Sequence, residues 1–253
     1  MTLLLDHLAT FQTVNLESVD QGWLGKRRFD RKFLLSRNQL SEFLERNETN
    51  FSVLEIDGLN SFGYRTDYFD TAKLDCYFDH VQGRKRRAKI RFRKYLDSNH
   101  IRFEVKMKLG NLQSHKAALE NAAGFTEVES EFVAQVLGEF IPNSRVASLV
   151  HELSPVATNT FQRSTLVHKS ALERITVDQS LAVLVDEKQK RLNEDLVLLE
   201  VKSVHRNSRV VRELLLNGIR PVRFSKYCAA VDLLVSERPL VHTRRFLSQK
   251  FSD

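Results

Sequence analysis

One short segment of the chain concentrates positive charge in an alternating pattern. Residues 84 to 94 read RKRRAKIRFRK, with eight basic residues and no acid, whereas the formal net charge of all 253 residues is only +7. From Arg87 onward, basic side chains at every second position alternate with Ala88, Ile90 and Phe92. Such alternation predicts a β-strand whose two faces differ. One face would be a row of cations, which indicates a densely anionic ligand, and the other would be buried.

Patterns along the rest of the chain predict an α+β fold. Capping boxes at Ser36/Gln39 and Thr126/Glu129 predict the starts of two helices, the second with Val128 on its apolar side. Further helices are expected at 144–153, 208–217 and 226–235. We expect strands at 28–35, 64–70, 76–81, 86–95, 101–108, 160–168, 174–178, 182–186, 196–203 and 220–225. Because several of these strands follow each other closely, much of the sheet should be antiparallel.

Composition favours one folded domain in a reducing compartment. Hydrophobic residues make up 42% of the chain, which is enough for a packed core. Cys76 and Cys228 are the only cysteines and form no disulfide framework or metal motif. The N-terminus lacks the basic start of a secretory signal, and no apolar run approaches the roughly 20 residues of a membrane span. We therefore expect a cytoplasmic protein with an N-terminal arm (1–25), one domain (26–236) and a basic C-terminal tail (237–253).

Charge also alternates with apolar residues in other predicted strands. In five of them one face is charged and the other apolar, and three pair a carboxylate with a lysine two positions later: Asp30/Lys32, Glu104/Lys106 and Glu200/Lys202. A single strand of this kind is typical of a solvated sheet face. Five of them favour a closed sheet whose charged faces point inward, which is stable only if a ligand compensates the charge. Many Arg and Lys with few carboxylates match a phosphate chain bound with Mg²⁺ or Mn²⁺.

Seven segments, in order between about residues 26 and 236, resemble a known family. They read RFDRKFLL, YFDT with the following LDCYFDH, RAKIRFRKY, FEVKMK, ERITVDQSL, LLEVKS and RFSKY. The chain is similar to VTC domains, the catalytic modules of vacuolar transporter chaperone polyphosphate polymerases, which also occur as stand-alone bacterial proteins. That family belongs to the triphosphate tunnel metalloenzymes, or CYTH-like superfamily. The resemblance implies an antiparallel eight-stranded tunnel barrel with a charged lumen and helices on the outside.

The resemblance also implies roles for individual residues. The residues expected to line the tunnel and act on phosphates are Lys32, Arg91, Arg93, Lys106, Arg163, Arg174, Lys202 and Lys226. Further expected substrate contacts are Lys89, Lys116 and Ser225. Glu200 matches the metal-binding glutamate of the family, and Asp30 and Glu104 are additional candidates. The chain departs from the family at Asp30, where Glu is usual, and at Phe33 and Phe161, where Tyr is common.

The implied reaction transfers the γ-phosphate of ATP to a growing polyphosphate chain with Mn²⁺ or Mg²⁺. Two alternatives stay open, namely a hydrolase of inorganic or nucleoside triphosphates in the same tunnel and a non-catalytic module that binds polyphosphate or nucleotides. The basic run 84–94 could also bind nucleic acid, as K/R-rich runs often do. We do not expect a nucleic-acid partner, because the basic residues alternate with Ile90 and Phe92 and the pattern recurs on other strands. A membrane-protein partner is left open.

Overall fold

The computed structural model describes residues 7–20, 26, 28–110, 114–122, 124–235 and 247–252. The strands within these ranges are β1 (Gln12–Val14), β2 (Phe29–Ser36), β3 (Phe51–Leu54), β4 (Phe62–Asp70), β5 (Arg86–Tyr95), β6 (Ile101–Leu109), β7 (Ser114–Glu120), β8 (Ser154–His168), β9 (Glu173–Val185), β10 (Lys188–Leu192), β11 (Leu196–Ser203), β12 (Pro221–Val222) and β13 (Phe251–Ser252). The helices are α1 (Leu16–Asp20), α2 (Arg37–Asn47), α3 (Asp75–Val81), α4 (Glu127–Gly138), α5 (Asn143–His151), α6 (Arg209–Leu216) and α7 (Lys226–Ala230), with a π-helix at Val231–Val235.

The chain divides into two compact units. The first comprises the described parts of Met1–Gly63, Phe161–Leu181 and Leu192–Phe224, and the second comprises those of Tyr64–Thr160, Ala182–Arg191 and Ser225–Asp253. Strands β8 and β9 contribute residues to both units, since the boundaries fall within them.

In the first unit, β11 pairs antiparallel with β2 on one side and with β9 on the other. Alternation along these strands sends Phe33, Val177 and Leu199 to one face, where they are fully buried with residues of α2 and α6. Ser36 begins α2 with the predicted capping box, because its hydroxyl accepts from the Gln39 amide at 3.2 Å. The face opposite the core carries Asp30 and Lys32 of β2, Arg174 and Asp178 of β9, and Glu200 and Lys202 of β11.

The second unit contains the antiparallel series β4, β5, β6 and β7. The basic alternating segment forms β5, as predicted, and Ala88 and Ile90 on its apolar face are buried. That face packs in one core with Val133 and Leu137 of α4. Arg87, Lys89, Arg91 and Arg93 therefore project from the other face of the sheet.

The predicted α+β architecture with an antiparallel sheet is confirmed, with one difference in the strand count. The principal hydrogen-bonded path of the described chain has nine strands where the resemblance implies eight. The two-residue strand Pro221–Val222 stands at the end of this path, beside β2. It lies within the longer strand expected at 220–225.

Local predictions failed where distant contacts decide the structure. Residues 76–81, expected as a strand, form α3, because the buried carboxylate of Asp70 accepts the amides of Cys76 and Tyr77 at 2.9 Å each. The strands expected at 174–178 and 182–186 are one strand, β9, which passes through a positive φ of 51° at Ser180. Five of the described strands, β1, β3, β7, β10 and β13, were not predicted. Val128 is 63% exposed, contrary to its expected place on the apolar side of α4.

The ends of the chain are described in part. Within the expected N-terminal arm, Leu8 and Phe11 are buried in the core of the first unit, and β1 pairs in parallel with β3. Residues 1–6 and 21–25 of that arm lie outside the described residues. The expected basic tail is described only at 247–252, where β13 pairs with β10. None of the described helices is long and apolar enough to cross a membrane.

Candidate functional site

The first unit gathers charged side chains on one face of three neighbouring strands. Glu200 of β11 stands directly opposite Lys32 of β2. Lys202, two residues further along β11, stands opposite Asp30 of β2 and Arg174 of β9. These five residues, all predicted for the site, are therefore neighbours on one sheet face.

Glu200 is the negative centre of this cluster. Its Oε1 lies 2.6 Å from the Nζ atom of Lys32, and its Oε2 lies 3.4 Å from that of Lys202. The side chain is only 14% exposed. Burial alone would raise the pKa of Glu200, but Lys202 and Lys32 outweigh burial and hold the pKa well below its usual range. Glu200 is therefore a permanent anion that holds two ammonium groups together.

Lys202 is the most perturbed cation of the cluster. Burial lowers its pKa to about 8, with further lowering by Arg163 and Arg174, whereas Glu200 acts in the opposite direction. Lys32 behaves differently, because the attraction of Glu200 outweighs burial and raises its pKa. Lys202 thus carries its positive charge at neutral pH but loses it more easily than an ordinary lysine.

Arg163 is held in a fixed orientation beside this cluster. Its Nε and Nη2 atoms donate to the two carboxylate oxygens of Asp178 at 2.6 and 2.8 Å, and Asp178 is 1% exposed. The guanidinium carbon lies 5.1 Å from the ring centroid of Phe161. A bidentate pair on one side and an aromatic ring on another restrict the guanidinium to one geometry. Phe33, the other position where Tyr is common in the family, is buried in the core on the opposite face of β2.

The second unit places another group of cations around a buried carboxylate. Glu104 of β6 stands opposite Arg91 of β5, and the Arg91 Nε donates to its Oε2 at 2.6 Å. Lys116 of β7 forms an ion pair with the other oxygen, and Arg93 lies 4.0 Å from Oε2. Burial would raise the pKa of Glu104, but Arg91, Arg93 and Lys116 together lower it strongly. The result is one buried anion surrounded by three cations.

Next to this group, three lysines lie side by side across three strands. Lys106 of β6 stands opposite Lys89 of β5 and Lys116 of β7. Like charges directly opposite each other destabilise a sheet, so this row favours a bound anion. Lys89 donates to the Ser225 hydroxyl at 2.8 Å, and the same hydroxyl caps the helix that begins at Lys226. Four predicted site residues, Lys89, Lys106, Lys116 and Ser225, are thus brought together.

The three predicted metal ligands have different surroundings. The described residues contain no group of three His, Cys, Asp or Glu that could hold a metal ion by themselves. Glu200 and Asp30 are diagonal neighbours across β11 and β2. Strand geometry places the Cβ atoms of such a pair about 7 Å apart. One or two carboxylates completed by substrate phosphates are what Mg²⁺ or Mn²⁺ usually takes. Glu200 and Asp30 fit this donor set, whereas the three cations around Glu104 favour an organising role for that residue.

Three residues near the cations were not predicted as part of the site. Asp178 orients Arg163, as described above. On β4, Thr66 stands opposite Arg93 with its hydroxyl 3.4 Å from Nε, and Tyr68 stands opposite Arg91. Thr66 and Tyr68 alternate along β4 on the face that continues the cationic face of β5, so the register of the two strands would have revealed them.

One comparison with known proteins shows the family of this chain. The family model of the VTC domain matches residues 27–235. None of the curated proteins compared with the chain matches it. Among solved structures, a candidate adenylate cyclase from Bacillus halodurans has a TM-score of 0.47 and 11% identity, with 79% of this chain and 94% of that chain covered. A protein from Pyrococcus horikoshii OT3 has a TM-score of 0.42, 15% identity and coverages of 80% and 95%. A candidate adenylyl cyclase from Hippeastrum with a dominant triphosphatase activity has a TM-score of 0.42, 15% identity and coverages of 79% and 93%.

Removing the charge of Glu104 should destabilise the protein, and added anions should restore part of the lost stability. In Glu104→Gln the three surrounding cations lose their buried counter-charge, and we expect a loss of about 3 kcal/mol in the free energy of unfolding. Added phosphate or sulfate should restore more stability to this variant than to the parent, as thermal unfolding would show. Glu120→Gln is the matched control, because that side chain is 46% exposed and should cost less than about 1 kcal/mol. An equal loss in the free energy of unfolding for the two variants would contradict the role of Glu104.

Tripolyphosphate should bind less tightly as the pH rises through about 8, the pKa of Lys202. Below this pH the ammonium is charged and attracts the anion, and above it the free site loses that charge. Calorimetric titrations without metal at several pH values would measure the dependence. In Lys202→Arg the side chain stays charged, so the profile should be flatter. The titration of the ligand itself is the same for both proteins, and identical profiles would exclude Lys202 as the source.

Proposed function

Because this chain belongs to the VTC domain family, within the triphosphate tunnel metalloenzymes, we propose that it is a metal-dependent polyphosphate polymerase. The reaction would transfer the γ-phosphate of ATP to the end of a growing polyphosphate chain. One observation supports this most directly. Glu200, a carboxylate suited to a divalent cation, is buried between Lys32 and Lys202 on a face that also carries Arg174.

In the first unit we assign the cations to two tasks. Arg163 and Arg174 would bind non-bridging phosphate oxygens, since a guanidinium offers two parallel donors to such a group. Lys32 and Lys202 would neutralise charge on the transferred phosphoryl group. Asp178 holds Arg163 in place before any ligand arrives, so the guanidinium needs little reorganisation during the reaction.

Glu200, with Asp30 beside it, is the proposed holder of Mg²⁺ or Mn²⁺. When bound, the cation would neutralise the negative charge on phosphate oxygens. Lys32 and Lys202 now lie against the two oxygens of Glu200, and each could then turn toward phosphate oxygens. Asp30 is exposed on the same face and is able to move toward an incoming cation.

In the second unit the cations would hold the phosphate chain. Arg91 and Arg93 are proposed to bind non-bridging oxygens, with Arg91 oriented by Glu104. Lys89, Lys106 and Lys116 form the row in which repulsion between neighbours would be relieved by an anion. Ser225, which accepts from the ammonium group of Lys89, and Lys226, the first residue of α7, would add a hydroxyl and an ammonium group for binding the phosphate chain.

The chemistry asks for positioning and charge neutralisation more than for proton transfer. A terminal oxygen of the phosphate chain would attack the γ-phosphorus of ATP, and the bond from that phosphorus to the β–γ bridging oxygen would break to release ADP. The attacking oxygen is already ionised, so no side chain has to accept a proton. Fixed cations around the transferred group supply most of the catalysis in reactions of this type.

We expect purified protein to make phosphate chains from ATP and Mn²⁺, with ADP as the second product. A gel that separates phosphate chains by length, together with an ADP assay, would measure both. Glu200→Gln should lower the rate at least about 100-fold, because the exchange keeps the shape of the side chain but removes the charge that holds the cation. Glu194→Gln, an exposed glutamate close to the start of β11, should leave the rate unchanged.

Other outcomes of this assay would contradict the proposal in distinct ways. Release of free phosphate from ATP or tripolyphosphate without chains would identify a hydrolase. Tight binding of triphosphate without turnover would identify a binding module. Full metal-dependent activity of Glu200→Gln would show that the cation is held elsewhere.

A further inference from the structure

The charged face of the second unit carries a further pair of cations. Arg87 of β5 stands directly opposite Lys108 of β6. This pair lies two residues along the strands from the pair of Lys89 and Lys106. On the far side of Lys108 stands Ser114 of β7. Alternation places Arg87 on the same face as Lys89, so the pair continues the cationic face toward the end of the sheet.

This pair is not neutralised within the described part of the chain. Arg87 donates from Nη1 to the carbonyl oxygen of Arg84 at 2.6 Å, and its Nε atom is buried without a hydrogen-bond partner. Lys108 forms no ion pair with any residue that the structure describes. Both side chains are partly exposed, so a ligand can reach them. Two directly opposed cations without a carboxylate repel each other, and a bound anion would remove that repulsion.

The length of the cationic face sets the size of the anion. Arg93, Arg91, Lys89 and Arg87 occupy alternate positions of β5, and antiparallel strands rise about 3.4 Å per residue, so the four rows extend over about 20 Å. A triphosphate has only two P–O–P linkages. It can bridge neighbouring rows but cannot contact all four at once. A longer phosphate chain can.

We propose that Arg87 and Lys108 form an additional subsite for phosphate units beyond the third, so that this face binds polyphosphate chains in preference to triphosphate. The inference rests on the proposed function, since it extends the same phosphate-binding face. Phosphate units of the chain would contact the Arg87–Lys108 pair while other units occupy the row of Lys89, Lys106 and Lys116. Ser114 would add a hydroxyl at the same row.

The chain provides a matched control one residue away. Arg86 has the same charge as Arg87 and lies on the same strand, but it stands opposite Leu109 on the other side of the pleat and is exposed. If only the total charge of this end of the sheet mattered, Arg86 and Arg87 would contribute equally to binding. If the face matters, only Arg87 should.

The test measures equilibrium binding without ATP, so it does not depend on turnover. Long-chain polyphosphate and tripolyphosphate are titrated separately into the parent, Arg87→Gln/Lys108→Gln and Arg86→Gln proteins. We expect the double variant to lose about tenfold or more in affinity for the long chain, with tripolyphosphate affinity changed less than about twofold. Arg86→Gln should match the parent for both ligands. Lys108→Gln alone serves as a second variant, with a smaller loss for the long chain only.

Three results would overturn the proposal. The first is an equal loss for both ligands, which would place the pair in the triphosphate site itself. The second is no loss for either ligand. The third is equal binding of a single-stranded oligonucleotide with the same number of phosphates and the same sensitivity to the double variant, which would indicate a general nucleic-acid patch. A protein that makes no polymer but still shows the length-dependent loss would refute the polymerase while retaining this subsite.

Discussion

The structure depends on one electrostatic constraint, namely that cations outnumber anions on the charged sheet face of each unit. In each unit a single buried glutamate holds the neighbouring cations together, Glu200 with Lys32 and Lys202 and Glu104 with Arg91. Without those carboxylates the opposed cations would repel each other across the strands. Even with them, positive charge exceeds negative charge on both faces, so each face remains prepared for an anion. We propose that this anion is a phosphate chain.

Glu104 and Glu200 differ in the side chains that surround them. The cations around Glu104 come from three directions and leave it closely surrounded, whereas Glu200 contacts two lysines and has Asp30 as a diagonal neighbour. We therefore propose that a divalent cation competes for Glu200 rather than for Glu104. Asp178 also organises a cation, because it holds Arg163 in one orientation before a substrate binds.

Much of this could be predicted from the sequence, because alternation is a local property. The pattern of residues 84–94 predicted the strand and its two faces, and a resemblance spread over the chain predicted the family, and these predictions are confirmed. The anionic ligand that the same pattern predicts stays a prediction. The motif EVK, however, occurs around both Glu104 and Glu200, and nothing within it separates an organising carboxylate from one that fits a metal. The difference arises from which side chains stand opposite on neighbouring strands. The helix at Asp75–Val81 was missed for a similar reason, since the cap that starts it is supplied by Asp70, several residues earlier.

The central claim is that phosphates and a divalent cation complete the charge balance at Glu200. A crystal structure of the protein with tripolyphosphate and Mn²⁺ tests it most directly, because the anomalous signal of manganese locates the cation. The account predicts manganese bound to Glu200 and to phosphate oxygens, with Lys32, Lys202 and Arg163 in contact with the phosphates. Manganese bound away from Glu200, or phosphates that avoid these three cations, would contradict it.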